Sequence, residues 1–340
     1  MNVLIEIGHP AHVHFFRQTI ARLKSEGHGL VVVTRDKEIT NQLLDRFDIE
    51  YLSLSLPATG KLGMASELLS RWSKIRSLIK SRSIDCVASI SGISTSFPGK
   101  LTGVRNVLFT DNEDAHLSNR IAFPFADVIH TPEFYLEDLG NKHRRYFGLH
   151  ELAYLQNFNF DRATEVRHSL GFPERYTIVR LVGNEALHDE GLKTLTDAQL
   201  ESLEAGLTPW GEIRISSPLK LPPRWEARKL SIPIESVHDV LAGAQLFLGD
   251  SPTMAVESSL LGVPAFLFSN RIDALGNMVG LSETHQLLDC QKRLEETLAS
   301  MKRVVNPGEF QQRWRERAER FRNATVPMND YIYQAIVAPE

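Results

Sequence analysis

The side chains best suited to chemistry follow directly after short apolar runs in the sequence. His9, His12 and His14 come directly behind the apolar run 3–7. Three imidazoles at one strand end could bind a metal ion, or one of them could act as a general acid or base. Positions 12 and 14 point about 200° apart on a helix, so both cannot face one ion if a helix begins there. We therefore expect His12 to be an acid–base group, His9 and His14 to be structural, and no metal to be bound.

A second group of polar residues follows the apolar run 104–109. It contains Asp111, Glu113, Asp114 and His116. Carboxylates crowded at one strand end raise one another's pKa, and one of them could then serve as a general base. The alternative is a capped helix, with Asp111 as the cap and Asp114 in the first turn. We predict Asp111 and Glu113 as catalytic candidates.

A third group, residues 249–257, follows the apolar run 246–248 and begins a predicted helix. Free backbone N–H groups at a helix start, reinforced by the helix dipole, favour a phosphate. Glu257 comes about one helical turn later, where a carboxylate can accept hydrogen bonds from a ribose diol. Alternatively, Ser251 or Thr253 caps the helix and Glu257 offsets its dipole. His188, after the strand-like run 176–182, could approach a diphosphate or be a solvated loop residue.

Strand-like and helical stretches alternate along the chain, which indicates βαβ units with parallel sheets. We predict six strands in the first half and four in the second, listed in order as 3–7, 30–34, 51–54, 86–90, 104–109, 128–130, 176–182, 212–216, 246–248 and 265–268. We place an N-terminal Rossmann-like domain at 1–155, a C-terminal one at 156–305 and a helical segment, packing back across both, at 306–340. Segment 92–100 resembles a phosphate loop only superficially, because its glycine spacing is wrong.

Composition excludes several classes of protein. The 340 residues carry a formal net charge of -4, so no global basic field for nucleic acid exists. Cys86 and Cys290 have no CxxC partner, which argues against a zinc–thiolate cluster or a disulfide framework and favours a reducing compartment. No signal peptide or membrane-spanning run is evident, so we expect a cytoplasmic protein. The basic helical stretches 71–82 and 302–322 could touch an anionic membrane or dock on the domains, and docking is the preferred interpretation.

Three motifs together carry a family resemblance. They are GHPAHVHFFR, TDNEDAHLSNRIAFPFADVIHTP and GDSPTMAVESSLLGVPAF, in chain order. With them the chain resembles an uncharacterised domain-of-unknown-function family of the GT-B superfamily. Its wider relatives are the non-hydrolysing UDP-N-acetylglucosamine 2-epimerases and the peptidoglycan N-acetylglucosaminyltransferases. The resemblance implies an α/β, GT-B-like fold: two doubly wound parallel-sheet domains facing across a cleft, with the UDP-sugar held mainly by the second.

The resemblance also implies roles for individual residues. Glu257 would bind the uridine ribose, and the backbone around Ser251, Thr253 and Met254 would receive the diphosphate. His188 falls near the loop histidine of the epimerases, and Asp111 and Glu113 fall near their N-domain acidic residues. The stretch GNEALH at 183–188 departs from the HRREN-like loop of the epimerases.

We therefore expect a metal-independent glycosyltransferase that uses a nucleotide sugar, with UDP as the expected nucleotide, in cell-surface polysaccharide or glycoconjugate synthesis. His12, Asp111 or Glu113 would deprotonate a sugar or lipid-linked acceptor, and His188 would orient the donor. The alternatives are a 2-epimerase and a catalytically inactive module that senses a nucleotide sugar. We expect no nucleic-acid partner and at most peripheral contact with the inner face of the membrane.

Overall fold

A computed structural model describes residues 1–182 and 197–338 of the chain. The chain forms two compact units. The first unit comprises Met1–Gln156 together with Thr325–Glu340, and the second comprises Asn157–Ala324.

The first unit is built on a seven-stranded parallel sheet. Its strands are β1 (Asn2–Ile7), β2 (Gly29–Arg35), β3 (Leu52–Ser55), β4 (Cys86–Ile90), β5 (Arg105–Phe109), β6 (Val128–Pro132) and β7 (His143–Tyr146). They lie in the order β3-β2-β1-β4-β5-β6-β7. Since all the strands are parallel, their carboxyl ends lie along one edge of the sheet, and the order reverses between β1 and β4. Ligands of doubly wound sheets bind at such a reversal.

Helices connect these strands. They are α1 (Pro10–Ser25), α2 (Glu38–Arg46), α3 (Lys61–Ser81), α4 (Ser96–Thr102), α5 (His116–Ala122) and α6 (Leu152–Leu155), with short 3₁₀ turns at Phe123–Phe125 and Gly140–Lys142. Helix α1 buries Val13, Phe16, Ile20 and Leu23, the apolar residues that recur at helical spacing in the sequence.

The second unit contains a five-stranded parallel sheet in the order β12-β11-β10-β8-β9. Its strands are β8 (Tyr176–Arg180), β9 (Glu212–Ser216), β10 (Leu246–Gly249), β11 (Ala265–Phe268) and β12 (Asp289–Gln291). Its helices are α7 (Phe160–Ser169), α8 (Asp197–Leu207), α9 (Pro223–Glu226), α10 (Val237–Ala242), α11 (Pro252–Leu260), α12 (Gly276–Val279), α13 (Leu294–Met301) and α14 (Pro307–Ala324). Short 3₁₀ turns lie at Thr208–Trp210, Ile234–Ser236 and Ile272–Ala274, and a π-helical turn at Gly280–Thr284.

The predicted C-terminal segment 306–340 is divided between the units. Helix α14 stays with the second unit, where Phe310 and Trp314 pack against the buried ring of Phe266. The chain then returns to the first unit as α15 (Met328–Val337), where Tyr331 contacts His130 of β6. Within the described residues, we find no helix that is both long and apolar enough to span a bilayer.

Each sheet has one strand that the sequence analysis missed. β7 has the sequence HRRY and β12 has the sequence DCQ, and both lie at the edge of their sheet. An edge strand is paired on one side only and is partly solvated, so it needs no apolar run. The prediction of six and four strands was wrong for this reason.

Candidate functional site

His9 and His12, at the start of α1, each accept a hydrogen bond from a backbone amide. His9 caps α1, and its Nδ1 accepts a hydrogen bond from the backbone N–H of Ala11 at 3.2 Å. The Nδ1 of His12 accepts one from the backbone N–H of Gly8 at 3.3 Å. The His12 ring is half-buried, and its centroid lies 5.9 Å from that of His9. His14 is buried between Phe47 and Tyr154.

The surroundings of His12 keep its ring neutral. Burial lowers the pKa of His12 well below its ordinary value, and the neighbouring His9, His150 and Lys37 lower it further. A ring that carries no charge at neutral pH can donate from one nitrogen and accept at the other.

Asp111, beyond the end of β5, forms a pair with a histidine that the sequence analysis missed. The Nδ1 of His150 lies 3.3 Å from Oδ2 of Asp111. His150 is buried against Phe15 and stacks on Tyr146, and its Nε2 has no hydrogen-bond partner among the described residues. Burial lowers the pKa of His150, although Asp111 opposes this shift. The Nδ1 of the neutral ring can therefore carry its proton toward Asp111, whose side chain is 26% exposed.

Glu113 has a different environment from Asp111. It is only 4% exposed, and its Oε1 accepts a hydrogen bond from the backbone N–H of Leu136 at 3.0 Å. This bond ties the loop after β5 to the loop after β6. The geometry supports a structural role for Glu113 more strongly than the catalytic role predicted for it.

His130 adds a third buried imidazole, in the middle of β6. It stacks on Phe109 of β5, and its Nδ1 lies 2.8 Å from the hydroxyl of Tyr331. Burial lowers the pKa of His130 to about 4, and Arg105, Arg144 and His143 act in the same direction.

The residues predicted to bind a phosphate lie at the start of α11, in the second unit. Ser251 occupies the N-cap position with an extended backbone, but its side chain makes no capping hydrogen bond. Pro252 is the first helical residue, and the backbone N–H of Ala255 already bonds to the carbonyl of Ser251 at 3.0 Å. The N–H groups of Thr253 and Met254 lie between them, in the first turn, where amides have no partner inside the helix. The capping interpretation of Ser251 is therefore not supported.

Glu257 is buried in α11 and paired. Its Oε1 lies 3.0 Å from Nε2 of His238, a buried residue of α10. The pair fixes the carboxylate at about one and a half turns from the helix start. His238 gave no signal in the sequence, because a histidine in a short helix is not distinctive by itself.

Arg180, at the end of β8, is a further residue that the sequence analysis missed. One of its terminal nitrogens donates to the Ser216 hydroxyl at 2.7 Å, and the carboxylates of Asp250 and Glu257 are near enough to raise its pKa, against the larger lowering by burial. Asp250 is buried and accepts the backbone N–H of Val182 at 2.7 Å. A side chain at Gly249 would place Cβ 2.6 Å from the Arg180 carbonyl oxygen, so only glycine fits there.

The structure thus groups the predicted residues by unit. It places His12, Asp111 and Glu113 in the first unit and Ser251, Thr253, Met254 and Glu257 in the second. His188 lies outside the described residues. Across residues 1–182 and 197–338, no three His, Cys, Asp or Glu side chains group as metal ligands would.

Comparison with known families shows the family to which the chain belongs. Residues 1–185 match the family described as "Protein of unknown function (DUF354)". The chain belongs to this family. The match confirms the predicted membership of a family of unknown function, while no curated protein has significant sequence similarity to the chain.

Solved structures identify the fold. The UDP-N-acetylglucosamine 2-epimerase of Rickettsia bellii is similar, with a TM-score of 0.69 and 13% identity over 98% of this chain and 95% of that one. The UDP-GlcNAc 2-epimerase of Neisseria meningitidis, solved bound to UDP-GlcNAc, gives a TM-score of 0.67 with 13% identity over 98% and 99%. Acinetobacter baumannii MurG gives 0.58 with 13% identity over 99% of both chains. The predicted GT-B fold, with two parallel-sheet α/β domains, is confirmed.

Proposed function

We propose that this protein is a GT-B glycosyltransferase that uses a nucleotide sugar, with UDP as the nucleotide. The observation that carries the proposal is the start of α11, where uncapped backbone amides are followed by the buried carboxylate of Glu257. Neighbours of the same fold include proteins solved with UDP or UDP-GlcNAc, which supports the choice of nucleotide.

In this proposal the second unit holds the donor. The amides of Thr253 and Met254, with the positive end of the α11 dipole, bind the diphosphate. Glu257 accepts hydrogen bonds from the ribose hydroxyls, and His238 fixes the orientation of its carboxylate. Arg180 and the helix start neutralise charge on the leaving diphosphate, so the chemistry requires no bound metal. His188 is retained as a predicted donor-orienting residue.

The first unit supplies the base. The acceptor hydroxyl oxygen bonds to the anomeric carbon while the bond from that carbon to the diphosphate oxygen breaks, and UDP leaves with the electron pair. Asp111 takes the hydroxyl proton. His150 holds Asp111 by donating its Nδ1–H and acts as a positioning residue, because its own Nε2 is buried away from ligand.

A 2-epimerase is the second candidate, because proteins named as such share this fold over nearly their whole length. Incubation with UDP-GlcNAc, followed by ¹H NMR, separates the two. An epimerase inverts C2 without an acceptor, whereas a transferase releases UDP only when an acceptor is added. Binding of UDP with neither outcome, across a panel of donors and acceptors, would favour the inactive sensor and contradict the proposal.

We further propose a cytoplasmic protein that contacts the membrane peripherally, to reach a sugar or lipid-linked acceptor of polysaccharide or glycoconjugate synthesis. The apolar face of α14 is packed in the second unit, but α3 and α4 leave Leu69 and Leu101 exposed beside Arg76 and Lys80. Co-sedimentation with phosphatidylglycerol vesicles, reduced in Leu69→Gln/Leu101→Gln, tests this contact. Equal pelleting with phosphatidylcholine vesicles would contradict it.

A further inference from the structure

His12 has a fixed proton arrangement. A backbone amide can only donate, so the Gly8 N–H that points at Nδ1 of His12 requires a lone pair on that nitrogen. In the neutral ring the single proton must then be on Nε2. The same logic applies to His9, whose Nδ1 accepts from Ala11. The loop after β1 thus holds two rings in the same tautomer.

This tautomer decides what His12 can do. A general base needs an accessible lone pair, and the lone pair of His12 is occupied by the amide. Its Nε2–H has no hydrogen-bond partner among the described residues, and the ring is only partly buried, so a ligand oxygen can accept from it. His12 is therefore equipped to donate a hydrogen bond to substrate.

The charges around His12 indicate which kind of ligand oxygen would accept its hydrogen bond. Lys37, which precedes α2, is half-buried and makes no ion pair or hydrogen bond within the described residues. Lys37 follows β2 and His12 follows β1, and these neighbouring parallel strands pair at their ends through Thr34 and Ile7. The Lys37 ammonium is near enough to lower the pKa of His12, as are the rings of His9 and His150. Glu6 lies 3.7 Å from Arg71 and interacts electrostatically with both Arg71 and Lys37, and Asp111 is paired with His150. The three cations Arg35, Lys37 and Arg71 share two carboxylates, Glu6 and Glu67, so an anionic ligand oxygen would balance the remaining positive charge.

We propose that His12 and Lys37 form a subsite for an anionic group of the acceptor, a carboxylate or phosphate, in which His12 donates through Nε2–H and is not the general base. The inference rests on the proposed function only in naming the acceptor as the ligand. It assigns the acceptor to a class, the sugars or lipid-linked sugars that carry an acidic group.

The tautomer can be measured without any substrate. Long-range ¹H–¹⁵N correlation spectra of the ¹⁵N-labelled full chain at pH 7.5 distinguish the two neutral tautomers and the charged ring. His12→Gln assigns the signals by their disappearance. We expect a neutral, Nε2-protonated ring; an Nδ1-protonated or doubly protonated ring would overturn the proposal.

Titration with inorganic phosphate then tests the subsite. We expect phosphate to shift the His12 Nε2–H signal, and Lys37→Met to weaken this binding about tenfold, which corresponds to about 1.4 kcal/mol. His12→Gln, whose amide can still donate, should bind phosphate within about threefold of wild type, whereas His12→Ala should lose about tenfold. The signals of backbone amides near Lys37 report binding in these variants, and circular dichroism checks their folding.

Two results would contradict the subsite: no change of the His12 signal at saturating phosphate, or equal losses in His12→Gln and His12→Ala. Neither depends on UDP. If UDP fails to bind but these results hold, the nucleotide proposal fails and the subsite stands.

Discussion

The two units differ in the charge of the buried titratable side chains that surround their candidate sites. In the first unit, His12, His130 and His150 all have a pKa lowered by burial, so their imidazoles are neutral. Along the second sheet, Arg180 lies near Asp250 and Glu257, and Glu257 bonds to His238. The first unit thus presents imidazoles with fixed protons beside the Lys37 ammonium, and the second presents charged side chains that interact with one another. Under the proposed function, the first unit transfers the proton and the second binds the nucleotide.

Asp111→Asn should have the largest effect, a loss of turnover without a loss of UDP affinity. The amide cannot take a proton from the acceptor, so turnover should fall by about 10²- to 10⁴-fold. UDP affinity, measured by calorimetry, should remain within about twofold, because the nucleotide residues belong to the other unit. Asp138→Asn, a change of an exposed carboxylate of the same unit, is the matched control. Equal turnover in the two variants would exclude Asp111 as the base.

Acid should destabilise the first sheet through its neutral histidines. The folded-state pKa of His130 is about 4 and the unfolded value is about 6.5, so the unfolded chain binds more protons between these pH values. Stability therefore falls as pH is lowered from about 6.5 to 4, by about 3 kcal/mol for His130 alone. His12 and His150 contribute with the same sign.

Hydrogen exchange of β5 and β6 at pH 7.5, 5.5 and 4.5 measures this loss. His130→Phe keeps an aromatic ring against Phe109 but cannot be protonated. Between pH 6.5 and 4 its unfolding should therefore take up about one proton fewer, and its stability should depend less on pH. An unchanged slope in the variant would show that His130 is not the group responsible.

Glu113→Ala should have a smaller effect, and on stability alone. It removes the acceptor for the Leu136 N–H and should cost about 1–3 kcal/mol in urea unfolding. Glu113→Gln retains an acceptor oxygen and should cost less. Turnover per folded molecule should be preserved in both. A loss of turnover as large as that of Asp111→Asn would show that Glu113 is catalytic.

The fold was predictable where apolar runs mark buried strands. The runs at β1, β5 and β10 are short, continuous and buried, so both sheets and their parallel direction could be expected from the sequence. β7 and β12 could not, because an edge strand carries polar residues and has no such run.

The candidate site was only partly predictable, for a different reason. Asp111 and Glu257 could be found because each belongs to a dense motif at a strand end. Their partners His150 and His238 could not, since each is remote in sequence and is brought to its carboxylate by tertiary packing. The sequence alone also does not show which of Asp111 and Glu113 is catalytic. Their side chains differ in exposure and in the groups that they contact, and only the structure shows this.

The central claim, a nucleotide site at α11, is tested most directly by calorimetry of UDP binding to wild type and Glu257→Gln, with and without EDTA. Thermal shift supports it, since a ligand stabilises the folded state by RT ln(1 + [L]/Kd). Glu283→Gln is the matched control, a carboxylate of the same unit outside the site. We predict that wild type and the control bind UDP equally with or without EDTA, and that Glu257→Gln binds at least about tenfold more weakly. Failure of wild type to bind UDP, or undiminished binding by Glu257→Gln, would contradict the account.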